Sequence, residues 1–320
     1  TFLIAGSGCI WGGGVSDYAD VTTIDLESQS LTTDFNFLNN FVNLVSLNLQ
    51  TNNITVIDIT KNTALGVFGL FENANLTFCD FSKNTLLTII NIDDCDFSSI
   101  DVTKNILLDI LDLSDNPNIT SIDLSQNTVL KWLKSSGTSF TSIDLVTNTI
   151  LEIIALGSNN LSSINVSQNI LLYDFGFFNN PLLASIDITN NPLLRLLRGF
   201  GCALSTIDLS QNAILETISL SGNLFNSIDL SNNTVVDTLF LQNNQLTSID
   251  LSNNTLLIYV RIDNNQLNSS VNSQILIDLD SHGLSNGYFQ SSIFGGGTLT
   301  TAGATAKANL QGKGWTIVGI

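Results

Sequence analysis

The sequence predicts an α/β repeat fold, mostly β: a solenoid of short stacked coils. Three observations carry it. The string Ile-Asp-apolar-(Ser/Thr)-x-Asn returns every 21 or 22 residues, as in Ile57-Asp58-Ile59-Thr60-Lys61-Asn62. A second string, Leu-x-x-apolar-x-apolar-x-x-Asn-x-apolar, lies between its copies and is clearest from Leu257 to Leu267. Asparagine is one residue in eight, 40 of 320, and close to half of it falls on two fixed positions of these strings.

Each string has an apolar-x-apolar centre, the period-2 signature of a short strand with alternate side chains turned inward. One coil cannot bury those residues alone, whereas a stack makes a continuous apolar column. Leading residues from Leu44 to Leu257 mark eleven coils over 44–267. After each strand the backbone turns inward and leaves amides and carbonyls to satisfy, a task suited to the amide side chain of Asn. One ladder runs from Asn52 to Asn265, with Cys95, Thr138 and Cys202 as substitutes; the other runs from Asn62 to Asn254. Ser135 and Gly199 interrupt the inward apolar pattern.

Residues 1–43 read as an N-terminal cap with an irregular first coil. There Ile24-Asp25-Leu26-Glu27-Ser28-Gln29 is taken as a degenerate Asp string, and the 33 positions from Asp25 to Asp58 imply an insertion of about a dozen residues near 34–42. Residues 268–320 read as a C-terminal α+β cap. It should hold a helix capped by Ser270, a second helix from Ala302 to Gln311 closed by Gly312 and Gly314, and a final strand from Trp315 to Val318.

The pattern LxxLxLxxNxLxxLDLxxN, followed closely from Leu215 to Asn233, resembles the IRREKO class of leucine-rich repeat, found in surface proteins of Bacteroidetes-type bacteria and in viral proteins. The resemblance covers about 44–267. It implies a right-handed leucine-rich-repeat solenoid with short strands on both sides, used for binding and not for catalysis.

With 10 Lys+Arg against 28 Asp+Glu, the net charge of -18 excludes a binder that tracks nucleic-acid phosphates. No apolar run reaches the roughly 18 residues of a membrane span. Thr1 opens a sequence without Met, which reads as cleavage of either a secretion signal or a single initiator Met.

The aspartates at 58, 80, 101, 123, 144, 187, 208, 229 and 250, with Asn165 among them, form an acidic ladder. Calcium is one way to offset its self-repulsion. Hydrogen bonds from nearby Ser/Thr hydroxyls and backbone amides are the favoured explanation, since no Gly-x-Asp calcium loop accompanies it. Lys61, Lys83 and Lys104 are local counter-ions. Buried inert thiols are expected at Cys79, Cys95 and Cys202, and Cys9 falls in the cap. His282, the only histidine, has no zinc partner at suitable spacing, and no nucleophile elbow surrounds any Ser. Gly6-Ser7-Gly8 and Gly12-Gly13-Gly14 lack the context of a dinucleotide site. Neither catalytic residues, nor a metal, nor a cofactor is predicted.

The outward position of the other strand does not repeat: it holds Lys134, Arg198, Phe240 and Arg261 among Asn, Gly, Asp, Ala and Ser. Trp132, Tyr259, Phe178 and Phe200 lie beside it, and five of the ten basic residues fall on or next to this strand. Aromatic and Arg side chains on a rigid face are what recognition surfaces favour, so these eight residues are the predicted ligand-binding set. The expected function is a binding or adhesion module for a protein or glycan, extracellular or on a cell surface. The alternative is a structural or virion component, such as a phage tail or host-recognition part, whose copies self-assemble into a homo-oligomer.

Overall fold

A computed structural model describes residues 18–32 and 35–320. The chain divides into two compact units, 1–160 and 161–320. The first carries β1 (Thr23–Asp25), β2 (Ser46–Asn48), β3 (Val67–Gly69), β4 (Ile89–Asn91), β5 (Ile110–Asp112), β6 (Trp132–Lys134) and β7 (Ile153–Ala155). The second carries β8 (Asp174–Gly176), β9 (Leu196–Arg198), β10 (Thr217–Ser219), β11 (Thr238–Phe240), β12 (Tyr259–Arg261), β13 (Tyr288–Gln290) and β14 (Thr316–Val318). Within each unit the strands pair parallel in chain order, in register. Each of the eleven coils read from the sequence contributes one strand, and the fold is a parallel β-solenoid.

The middle residue of every strand from β1 to β13 points inward, and so do most residues two positions later; Leu47 and Leu49 are both buried. Aromatic rings thicken the column, with Phe68, Phe81, Phe97 and Phe140 buried in the first unit and Phe175, Phe177 and Phe225 in the second.

Strands lie on one side only among the described residues; the Asp strings contain none. The reason is local. Each Asp carboxylate accepts the amide two residues on, as Asp58 Oδ1 does from Thr60 N at 2.9 Å and Asp208 Oδ1 from Ser210 N at 2.9 Å. This Asx-turn curls the backbone away from ladder pairing. Coils on that side are joined instead by Asn side chains: Asn127 Nδ2 donates to the Val102 and Asn105 carbonyls of the preceding coil at 3.1 and 2.9 Å.

The other asparagine ladder explains why coils have two lengths. Asn116 Oδ1 accepts Phe97 N from the preceding coil, and Asn116 Nδ2 reaches the carbonyls of Ile92, Leu113 and Ser114. In each 22-residue step, 73 to 95, 116 to 138 and 180 to 202, the extra residue makes a turn. The amides of Leu76, Ile119 and Leu183 then bond to the carbonyls of Asn73, Asn116 and Asn180 within their own coil. The next rung needs no acceptor, and those are the rungs held by Cys95, Thr138 and Cys202. Their S–H and O–H groups still donate inward, Cys95 to the Leu70 carbonyl and Thr138 to the Ser135 carbonyl. Burial pushes the Cys95 thiol up to about 12, with neighbouring Asp94 and Asp93 adding to the shift, and raises Cys79 and Cys202 as well. All three are free thiols.

Two expectations at the ends are corrected. Ile24 pairs with Leu47 and Asp25 with Asn48, so Ile24-Asp25-Leu26 is a strand string and not an Asp string. Both strings contain apolar-x-apolar, and the Asp misled the alignment. The step to the next strand is 23 residues, with no dozen-residue insertion, and a 3-10 turn at Asn36–Asn40 fills it. At the other end the strand series continues through β13 and β14, the first of which the sequence did not reveal. Helices α1 (Ser269–Ser281) and α2 (Thr301–Gly312) replace the Asp strings in these two coils. Asn268, not Ser270, caps α1, accepting from the amides of Ser270 and Val271. Cys9 and the glycines at 6–14 lie outside the described residues.

Candidate recognition surface

Residues one before and one after the inward position of each strand form two outward rows. In the first unit one row is Val67, Ile89, Ile110, Trp132 and Ile153, on adjacent rungs. All five are partly exposed. Four β-branched residues and a Trp, set between Ile110 and Ile153, make a continuous apolar strip. Sequence reading found Trp132 but missed the strip, because an aliphatic residue in a strand reads as core until the register shows which way it points. The parallel row is Gly69, Asn91, Asp112, Lys134 and Ala155. No helix or other element of the first unit covers this face among the described residues.

In the second unit Phe178 and Phe200 stack with centroids 4.7 Å apart, and Tyr259 packs between Phe240 at 5.3 Å and Tyr288 at 4.8 Å. Arg198 crosses Gly176 to bond Asp174 at 2.5 Å, and Arg261 lies 3.7 Å from Asp263. The structure therefore places Trp132 and Lys134 together in one unit, and Phe178 with Arg198 and Phe200, and Phe240 with Tyr259 and Arg261, in the other.

The sequence suggested a partly basic face. Every Lys or Arg on it is answered by a carboxylate, one coil away in all but one case: Lys131 by Asp109, Lys134 by Asp112, Arg195 by Glu216, Arg198 by Asp174, and Arg261 by Asp263. Residues 21 to 24 positions apart are neighbours here, and composition alone does not reveal that. Exposed pairs of this kind contribute little stability, roughly 0–1 kcal/mol, but they neutralise the cations. The first unit has further carboxylates just past the ends of its strands, at Glu72, Asp93, Asp94 and Asp115.

Asp93 is partly buried. Burial, then the charges of Asp112, Asp115 and Asp94, push its carboxyl up to about 6, and its Oδ1 is buried without a hydrogen-bond partner. Since the folded value exceeds the ordinary 3.8, the fold favours protonated Asp93; that contribution is complete below 3.8 and lost as pH rises through about 6. Asp93→Asn is expected to raise Tm at pH 7.5 and to shrink the gain in Tm that the parent shows between pH 7.5 and pH 5. A parent Tm that does not rise over that interval would contradict the assignment.

The opposite side is chemically uniform. Hydrogen bonds from the Ser or Thr two residues on hold Asp58, Asp101, Asp123, Asp187, Asp208, Asp229 and Asp250 below the usual carboxylate value. At Asp58 and Asp101 the Lys61 and Lys104 charges are the smallest influence. Their stabilisation is present above pH 3.8 and lost below it, the reverse of Asp93. The repeated aspartate is thus a turn-former. Among the described residues no group of three or more His, Cys, Asp or Glu is placed to hold a metal ion. His282 ends α1, with Nε2 3.3 Å from the Ser252 carbonyl. No described helix is long and apolar enough to cross a membrane.

No protein-family model and no curated protein matches the chain. Solved structures do, and they are leucine-rich-repeat proteins. The functional domain of InlJ from Listeria monocytogenes, which includes a cysteine ladder, is 26% identical with a TM-score of 0.74; the match covers 86% of this chain and 64% of that one. The internalin InlF of Listeria monocytogenes is 19% identical over 94% and 87% of the two chains, with a TM-score of 0.79. Toll in the Drosophila Toll–Spatzle complex is 17% identical over 87% and 45%, with a TM-score of 0.66. The chain thus spans under two thirds of the InlJ domain.

Proposed function

We propose that this chain is a non-enzymatic recognition module that binds a protein partner through the strand face of its solenoid, outside the cell. The contrast between its two sides carries this reading. A position with one structural task repeats, as the Asp string does, whereas the outward positions of the strand face vary from coil to coil and set partly exposed aliphatic, aromatic and Arg side chains side by side. The Toll–Spatzle complex supports the same use of the fold, a solenoid holding a protein. The eight strand-face residues from Trp132 to Arg261 are the proposed contacts, with the aliphatic strip of the first unit added to them.

The test is selection of displayed random peptides on the immobilised chain. Selected peptides should lose at least tenfold in affinity for the Trp132→Ala/Lys134→Ala or Phe240→Ala/Arg261→Ala variants, at unchanged Tm, and keep it for Asp123→Asn/Asp208→Asn. Retention by both strand-face variants would refute the assignment. Self-assembly has one observation behind it: Leu86, Leu107 and Val129 in the first unit, and Leu171, Leu193, Ile214 and Leu256 in the second, repeat at one position and are 40–50% exposed. A monomer by size-exclusion chromatography at micromolar concentration would dismiss it.

A further inference from the structure

The strand face of the first unit pairs an apolar strip with an acid border. Ile89, Ile110, Trp132 and Ile153 stand on consecutive rungs and are each partly exposed. Asp93, Asp94 and Asp115 follow strands β4 and β5, on the side of the strip to which the strands run. Lys131 and Lys134 are held by Asp109 and Asp112, so neither offsets that border. A partner must therefore bring apolar groups to the strip and positive charge to its edge.

The spacing of the rungs selects the partner's shape. Parallel strands lie about 4.8 Å apart. A helix laid along the strip presents an apolar residue every turn, about 5.4 Å, and drifts by only about 0.6 Å per rung. An extended strand presents same-face residues about 6.7 Å apart and falls out of step within two rungs. We infer that the first unit binds an amphipathic protein helix lying along the Ile89–Ile153 strip, with Lys or Arg along the helix edge that faces Asp93, Asp94 and Asp115. This rests on the strand-face reading above and deepens it.

The probe is an 18-residue Leu/Lys peptide with its leucines on one helical face, beside the same peptide with Glu for Lys. Binding to the whole chain is read by fluorescence anisotropy. The Lys peptide should bind at least tenfold more tightly than the Glu peptide. Asp93→Asn/Asp94→Asn/Asp115→Asn should weaken it at least tenfold; Asn suits positions 94 and 115, whose φ values are 51° and 50°. Because a chain of charge -18 attracts any cation, the control is Asp80→Asn/Asp123→Asn/Asp144→Asn, which removes equal charge from the Asp strings. Equal weakening in both triple variants would overturn the acid-border inference. Ile89→Ser/Ile110→Ser, checked for an unchanged circular-dichroism spectrum, should abolish binding. If it does so while Lys and Glu peptides bind alike, the helix chemistry proposed here fails and the strand-face reading stands. If it has no effect, both fail.

Discussion

Replacing Asn116 by Ala is expected to destabilise the protein by roughly 3–4 kcal/mol in urea denaturation followed by far-ultraviolet circular dichroism. Asn116 is fully buried. Its loss strands the Phe97 amide and removes a donor from three carbonyls, those of Ile92, Leu113 and Ser114. Each orphaned buried group costs about 1–3 kcal/mol, and carbonyls that keep another partner fall at the low end. Cys95→Ala, one rung earlier, should cost only about 1 kcal/mol. Its coil is a 22-residue one in which Leu76 N already bonds to the Asn73 carbonyl. Equal losses for the two variants would mean that coil length and rung chemistry are not coupled as described.

Gly199→Leu restores the apolar residue found in nine of the other ten coils, yet it should lower stability by about 1–3 kcal/mol or more. A Cβ at residue 199 would lie 2.2 Å from Cε2 and 2.3 Å from Cζ of Phe177, the residue at the same position of the preceding coil. The Phe177 ring occupies the space of the missing side chain, and the two residues form one packing unit. Phe177→Leu alone leaves a gap over Gly199, whereas Phe177→Leu/Gly199→Leu should recover most of the loss, giving a favourable coupling of at least 1 kcal/mol. A Tm that rises in the single Gly199→Leu variant would show that repeat consensus, and not this pair, governs the site.

These cases mark what the sequence made legible. The solenoid and both asparagine ladders follow from residue spacing, because a stacked coil imposes its requirements at a fixed interval. Gly199 looked like a defect because its compensation, Phe177, sits a coil away. The same distance hid the pairing of Lys134 with Asp112 and of Arg198 with Asp174, which cancels the basic charge expected of the face. The Asp string was read as a strand because its alternation is that of a strand, and only the Asx-turn geometry of Asp58 and its counterparts shows why it does not pair. Ile89, Ile110 and Ile153 were legible as strand residues but not as surface, since apolar character says nothing of direction without the register.

The central claim is that recognition belongs to the strand face and not to the Asp side. Hydroxyl-radical footprinting of the chain with and without a selected peptide reads side-chain exposure on both sides at once. Oxidation of Trp132, or of Phe200 and Tyr259 where the peptide seats on the second unit, should fall several-fold, while Phe78, 63% exposed and two residues before Asp80, stays unchanged. Protection of Phe78 with Trp132, Phe200 and Tyr259 unaltered would contradict the account.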